Sequence, residues 1–287
     1  MANDRLRVSA IHYLNPAPLM WSFEHEPDRA RLSERYCISS DTPAECAAKL
    51  ASGAADIGLV PVAAFAANPS MEVIPGCTIA SRDHVRSIVL AVRNPEGVYA
   101  VRRVALDTSS LTSVAYTKIL FARFWNTTPE FVPHEPSLDA MLQAADAALL
   151  IGDPALVALE HRRAREYRTG QHLIYYDLAH EWRVFTGTVW VSALWGVRPE
   201  AVAGNSSRSM EIVEDFERSR DEGRKNIDAL AAEWSRRLPL SRAVIRSYLT
   251  ENIWYILDDD CIQGLELFYR YGVECGALPA APKLHYL

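Results

Sequence analysis

Arg103-Val-Ala-Leu-Asp107, followed at once by Thr108-Ser-Ser-Leu-Thr-Ser113, is the stretch on which the fold turns. The first five residues read as a strand, and Ile119, Leu120 and Phe124 beyond the hydroxyl run carry a helical spacing. The run therefore sits at a strand-to-helix corner. Phe131-Val132 reads as the next strand, Leu138 to Ala145 as a helix, and Ala147 to Ile151 as a buried strand that stops at Gly152-Asp153-Pro154. Strands alternating with helices in this way predict an α/β protein with parallel sheets whose faces are covered.

Outward from this core the same grammar continues. Leu6 to Leu14 reads as a strand ending in the turn Asn15-Pro16-Ala17-Pro18. Thr42-Pro43-Ala44-Glu45 fits a capping box with Pro at the first helical position, opening a helix that runs to Gly53. Ala55 to Val60 is a short buried strand ended by Pro61, and Arg86 to Arg93 is another, closed by Asn94-Pro95. Val189 to Val197 is the last strong strand. From Ser206 the pattern turns helical, through Met210, Val213 and Phe216 to Leu265, Phe268 and Tyr269. A helical C-terminal third must cover a sheet already built. The simplest arrangement places residues 1–92 and 188–287 in a first lobe and residues 93–187 in a second. Two chain crossings then form a hinge, and the cleft between the lobes holds a small ligand.

The chain has 287 residues, 49% of them apolar, enough for a substantial core. Lys+Arg number 30 against Asp+Glu 36, a net charge of −6, and no basic stretch tracks a phosphate backbone, so nucleic acid is not an expected partner. The start Met1 to Val8 is polar, with no secretory signal, and no window reaches the roughly 18 apolar residues of a membrane span. The expected location is the cytoplasm. Five scattered cysteines without a CxxC pair read as reduced structural thiols. Nucleotide-binding glycine motifs, HExxH and GxSxG are absent.

Candidate site residues fall at the strand ends. The run from Thr108 to Ser113 holds five hydroxyls in six positions, more than a helix cap requires. With the backbone N–H groups of the helix start it forms a prospective carboxylate or phosphate site. Gly152 and Asp153 either face the cleft or cap the helix that Pro154 begins. Asn15 at the end of its strand reads first as a turn residue, and Ser87 as an ordinary strand hydroxyl. His12, His84 and His134 read as structural or surface residues with no paired histidine for a metal, and Asp258-Asp-Asp260 as a solvated helix start.

Several pieces, taken in order, resemble one family. They are Tyr13-Leu14-Asn15 with Pro18-Leu19, Asp56 to Pro61, Val85-Arg-Ser87, Asp107-Thr-Ser109 with Thr112-Ser113, Leu150 to Asp153, and Tyr176-Asp-Leu178 with Trp182 and Thr186-Gly187. Over nearly the whole chain they look like the chorismate dehydratases of the futalosine route to menaquinone. The resemblance implies a type II periplasmic-binding-protein-like fold and a cofactor-free carbon–oxygen lyase that removes water from chorismate. It assigns catalysis to Asn15 and Ser87, a substrate carboxylate to Ser109, Thr112 and Ser113, and further substrate contacts to Gly152, Asp153, Thr186 and Gly187. The chain departs from the family after Gly187, where Thr188-Val189-Trp190 replaces leucine-proline-phenylalanine. Two rivals share the fold: a small-carboxylate solute-binding protein, and the sister enzyme that makes dihydroxynaphthoate.

Overall fold

The computed structural model describes residues 5–287; the first part of the polar start, residues 1–4, lies outside the described residues. Two sheets organise the chain. The first takes β1 (Leu6–Ile11), β2 (Tyr36–Asp41), β3 (Ile57–Pro61) and β4 (Glu72–Ser81). The second takes β5 (Ile88–Val92), β6 (Arg103–Asp107), β7 (Glu130–His134), β8 (Ala147–Ile151) and β9 (Ile174–Asp177). The chain then returns, and β10 (Trp190–Val197) and β11 (His285–Tyr286) join the first sheet. The strand orders are β11-β4-β10-β3-β1-β2 and β7-β6-β8-β5-β9.

Both sheets are mixed, which corrects the expectation of parallel ones. β1 pairs parallel with β2 and β3, and β6 parallel with β7 and β8. β10 runs antiparallel to β3 and β4, and β5 antiparallel to β8 and β9. β5 and β10 are the strands that receive the chain from the other lobe. Neither follows a crossover helix within its own sheet, and only such a crossover enforces parallel pairing.

The β5 strand, which the sequence reading put in the first lobe, lies in the second sheet, register-paired with Ala147–Ile151 and Ile174–Asp177. Its run Ile-Val-Leu-Ala-Val is apolar on both faces and carries no mark of which sheet it enters. The crossings are therefore residues 82–87 and 187–189. β4 has no counterpart in the sequence reading, because Pro75 and Gly76 interrupt it and its pairing with β10 shifts register twice.

The expected capping box is present: Thr42 Oγ1 accepts from the Glu45 N–H (3.3 Å) and the Glu45 carboxylate from the Thr42 N–H (2.7 Å), while Gly53 ends the helix Pro43–Ser52. Asp258 caps the helix Asp259–Glu274 through the Cys261 N–H. The C-terminal helices cover the first sheet: Ser206–Lys225 packs on β4 and on the turn Ala17–Met20, and Asp259–Glu274 on β10. A Cβ on Gly223 would collide with the Pro18 carbonyl, so only glycine lets that helix seat. Between the lobes, buried Tyr116 stacks on Trp190 (3.6 Å) and Phe268 (4.2 Å) and meets the edge of Trp182 (4.8 Å). Among the described residues no helix is long and apolar enough to cross a membrane.

Candidate active site

Strand ends from both lobes converge on one cleft. β1 ends at Ile11, and the turn after it carries Tyr13 and Asn15; β6 ends at Asp107, and Ser110 caps the helix Leu111–Ile119; β8 ends at Ile151 beside Gly152. β5 runs antiparallel to β8 with Ile88 opposite Ile151, so Ser87 arrives at that same edge from the first crossing. Tyr13, Asn15, Ser87, Ser110, Ser113 and Ser192 line the cleft, with apolar walls from Ile11, Ile88 and Ile151. Its cavity volume is about 40 Å³. A carboxyl-edge cleft is where open α/β sheets bind ligands.

Ser87 is buried, and its Oγ accepts a 2.7 Å hydrogen bond from the Tyr248 hydroxyl. Burial drives the Tyr248 phenol above its usual range, so it stays protonated and keeps donating. Ser87 then has its own O–H free for a ligand. The residue before it, Arg86, has φ of +59°, a left-handed conformation held by Asp177, which accepts both the Val85 and Arg86 N–H groups. Asn15 presents a buried Oδ1 with no hydrogen-bond partner. A buried amide oxygen left this way is an acceptor reserved for something else in the cleft.

At the helix start, the Ser110 and Ser113 hydroxyls lie 3.0 Å apart, and Ser110 also accepts the Ser113 N–H. Neutral donors at the positive end of a helix suit a carboxylate. Beneath them Asp107 is fully buried, holds Ser109 through N–H and hydroxyl (3.0 and 2.6 Å), and leaves Oδ2 without a partner. Burial raises its pKa against the Ser109 hydrogen bonds. The Tyr13 ring lies over Gly152. Gly152 has φ of +64°, and a Cβ there would sit 2.6 Å from that ring.

Of the residues named from sequence, Asn15, Ser87, Ser113 and Gly152 line the cleft. Asp153 stands just behind it: its Oδ1 accepts the Leu14 N–H (2.9 Å) from the opposite lobe, and burial pushes its pKa up to about 6. Ser109 and Thr112 are engaged across the lobes. The Ser109 carbonyl accepts from the Ala44 N–H (3.0 Å), and Thr112 Oγ1 from the Ala63 N–H (3.2 Å). The structure does not bring Thr186 and Gly187 to the cleft. They end the helix Leu178–Thr186, where Thr186 bonds Trp182 and Thr188, and Gly187 lines a separate recess with Arg82 and Asp260. Thr188 in turn accepts the Trp182 indole N–H (2.9 Å), so the departure after Gly187 serves this turn.

Sequence reasoning passed over Tyr13, Ser110, Ser192 and Tyr248 as site residues. Ser110 stood within the hydroxyl run, but Tyr248 lies 161 residues from Ser87 and nothing local links them. A larger groove lined by Arg86, Arg162, Arg163 and Arg165 contains none of the residues named from sequence.

The family model described as menaquinone biosynthesis matches residues 6–274. A chorismate dehydratase of Thermus thermophilus is 28% identical over 261 residues, 88% of this chain and 91% of that one. Among solved structures, protein AF1704 from Archaeoglobus fulgidus superposes with a TM-score of 0.70 at 14% identity, covering 97% of this chain and all of that one. The periplasmic aliphatic sulphonate binding protein SsuA of Escherichia coli gives 0.63 at 15% identity, covering 97% and 95%. These two likenesses establish a periplasmic-binding-protein-like fold, as expected from the sequence. With the family match running almost from end to end of a chain whose strand ends build one intact cleft, this protein belongs to the menaquinone biosynthesis family.

Proposed function

We propose that the chain is a chorismate dehydratase, a hydro-lyase converting chorismate to 3-[(1-carboxyvinyl)oxy]benzoate, and that Asn15 and Ser87 carry the catalysis. The observation behind this reading is the cleft lining: hydroxyls, one amide and one phenol, with no carboxylate, imidazole or amine among the described lining residues. Such a wall orients a dianion without supplying a general base. Chorismate brings two carboxylates, and the Ser110–Ser113 corner suits one of them.

The reaction breaks the ring C–H at the ether-bearing carbon and the neighbouring C–O bond. In this reading the substrate's enolpyruvyl carboxylate takes the proton while Asn15 and Ser87 hold the substrate in the orientation for it. Proton and hydroxide leave as water, and aromatisation drives the step. The protein's share is orientation and exclusion of bulk water. The elimination as written draws on no cofactor, and the protein acts on a small molecule.

Purified protein mixed with chorismate tests this by ultraviolet absorbance and mass spectrometry. Loss of one water to give the enolpyruvyl-oxybenzoate is expected. Tight binding without turnover would instead assign a solute-binding role, and neither binding nor turnover would overturn the substrate.

A further inference from the structure

The elimination leaves unused a cluster on the first crossing. His180 Nδ1 lies 2.6 Å from Asp83 Oδ1, and His84 Nδ1 lies 3.2 Å from Asp83 Oδ2. The two imidazoles stack with centroids 3.9 Å apart and 22° between planes. One ligand atom from each residue falls within 4.8 Å of the other two. The sequence reading found no partner histidine for His84; the fold supplies one 97 residues from Asp83.

The backbone beneath is held firmly. The Asp83 carbonyl accepts from the Ser81 hydroxyl (3.2 Å) and the His84 carbonyl from the Asn252 amide (2.9 Å). Asp177 takes the Val85 and Arg86 N–H groups and also caps the helix that carries His180. These bonds hold the backbone that carries the three side chains. They are 61%, 50% and 37% exposed for Asp83, His84 and His180, so an ion reaches them directly from solvent.

We propose that Asp83, His84 and His180 bind one divalent transition-metal ion of the zinc class, clamping the first crossing to the helix that leads into the second. Two imidazole nitrogens and one carboxylate oxygen are a borderline donor set of this kind, with water completing a four-coordinate shell. In the free protein each ring can offer Nδ1–H to the carboxylate. On binding, each ring coordinates through an unprotonated Nδ1 with its proton on Nε2, and the ion replaces the two contacts to the carboxylate.

The test is titration of the tag-free, full-length chain with Zn²⁺ by calorimetry and with Co²⁺ by visible absorption. One ion per chain, the intense Co²⁺ bands of a four-coordinate site, and a metal-dependent rise in Tm are expected. His84→Ala and His180→Ala should each weaken Zn²⁺ binding at least about tenfold, leaving metal-free chorismate turnover unchanged because neither side chain lines the cleft. Absence of saturable binding in the micromolar range, or binding that persists in H84A/H180A, would overturn the proposal.

Discussion

Asn15 and Ser87 divide the polar work of the cleft by what their surroundings leave free. Asn15 keeps an unpartnered buried acceptor, and Ser87, already accepting from Tyr248, keeps a donor. Asn15→Ala should lower kcat for chorismate by about 10²-fold or more, the usual cost of one preorganised polar contact, while KM changes little; unchanged kcat in steady-state assays would remove Asn15 from the mechanism. Tyr248 acts one step back, as a positioning residue. Tyr248→Phe removes the hydrogen bond that its hydroxyl donates to Ser87 and leaves the Ser87 Oγ to rotate. We expect kcat to fall with KM nearly constant, and stability to drop by about 1 kcal/mol in denaturant unfolding. A fall in stability with kcat unaltered would make Tyr248 a packing residue only. None of the Tyr248 role was legible in the sequence, since its tyrosine stands in an ordinary helical pattern and only the tertiary fold sets it beside Ser87.

At the scale of elements, the corner after β6 does two jobs with one set of hydroxyls. Ser110 caps the helix Leu111–Ile119 by accepting the Ser113 N–H, and the same pair of hydroxyls faces the cleft. Ser110→Ala therefore has two expected readouts: a stability loss of about 1 kcal/mol from the lost cap, and weaker chorismate binding from the lost anion donor. Calorimetric binding that stays at the wild-type level would separate the cap from the site. The hydroxyl run was readable as an anion corner because composition there exceeds what capping needs. Which hydroxyls face the ligand was not readable. Thr112 and Ser109 look equivalent to Ser113 in sequence, yet the Thr112 hydroxyl accepts from Ala63 of the other lobe and the Ser109 hydroxyl donates to buried Asp107. Thr186 and Gly187 were likewise drawn into the site by resemblance, whereas a helix end with left-handed Gly187 accounts for their positions.

At the scale of the whole molecule, hydrogen bonds join the lobes: Asp153 with Leu14, Thr112 with Ala63, and Ser109 with Ala44. Each contributes on the order of 1 kcal/mol net. Asp153 ties this to pH. Its pKa is about 6 in the folded chain against roughly 3.9 unfolded, so between those values the folded state binds more protons. Its contribution to stability is present in full below the unfolded value and is lost as pH rises through about 6. Asp153→Asn keeps an acceptor for the Leu14 N–H and removes the titration. Denaturant unfolding from pH 4 to 7 should show the wild type losing stability relative to the variant across that window; parallel curves would contradict the burial of this carboxyl.

Local chemistry was sufficient for the elements whose cause is local. The Thr42–Glu45 box, the Asp258 cap, the buried runs of β3 and β8 and the strand-to-helix corner at Ser110 follow from residues within a few positions of one another. The α/β class with a cleft at strand ends was legible for that reason. What depends on partners far along the chain was decided by the tertiary structure alone: the entry of β5 into the second sheet, the mixed strand directions, the Tyr248–Ser87 bond and the meeting of His84 with His180. An apolar strand buried on both faces has no side-chain pattern that names its neighbour. A hydroxyl or imidazole acquires its role only from the group that the folded chain places within hydrogen-bonding reach.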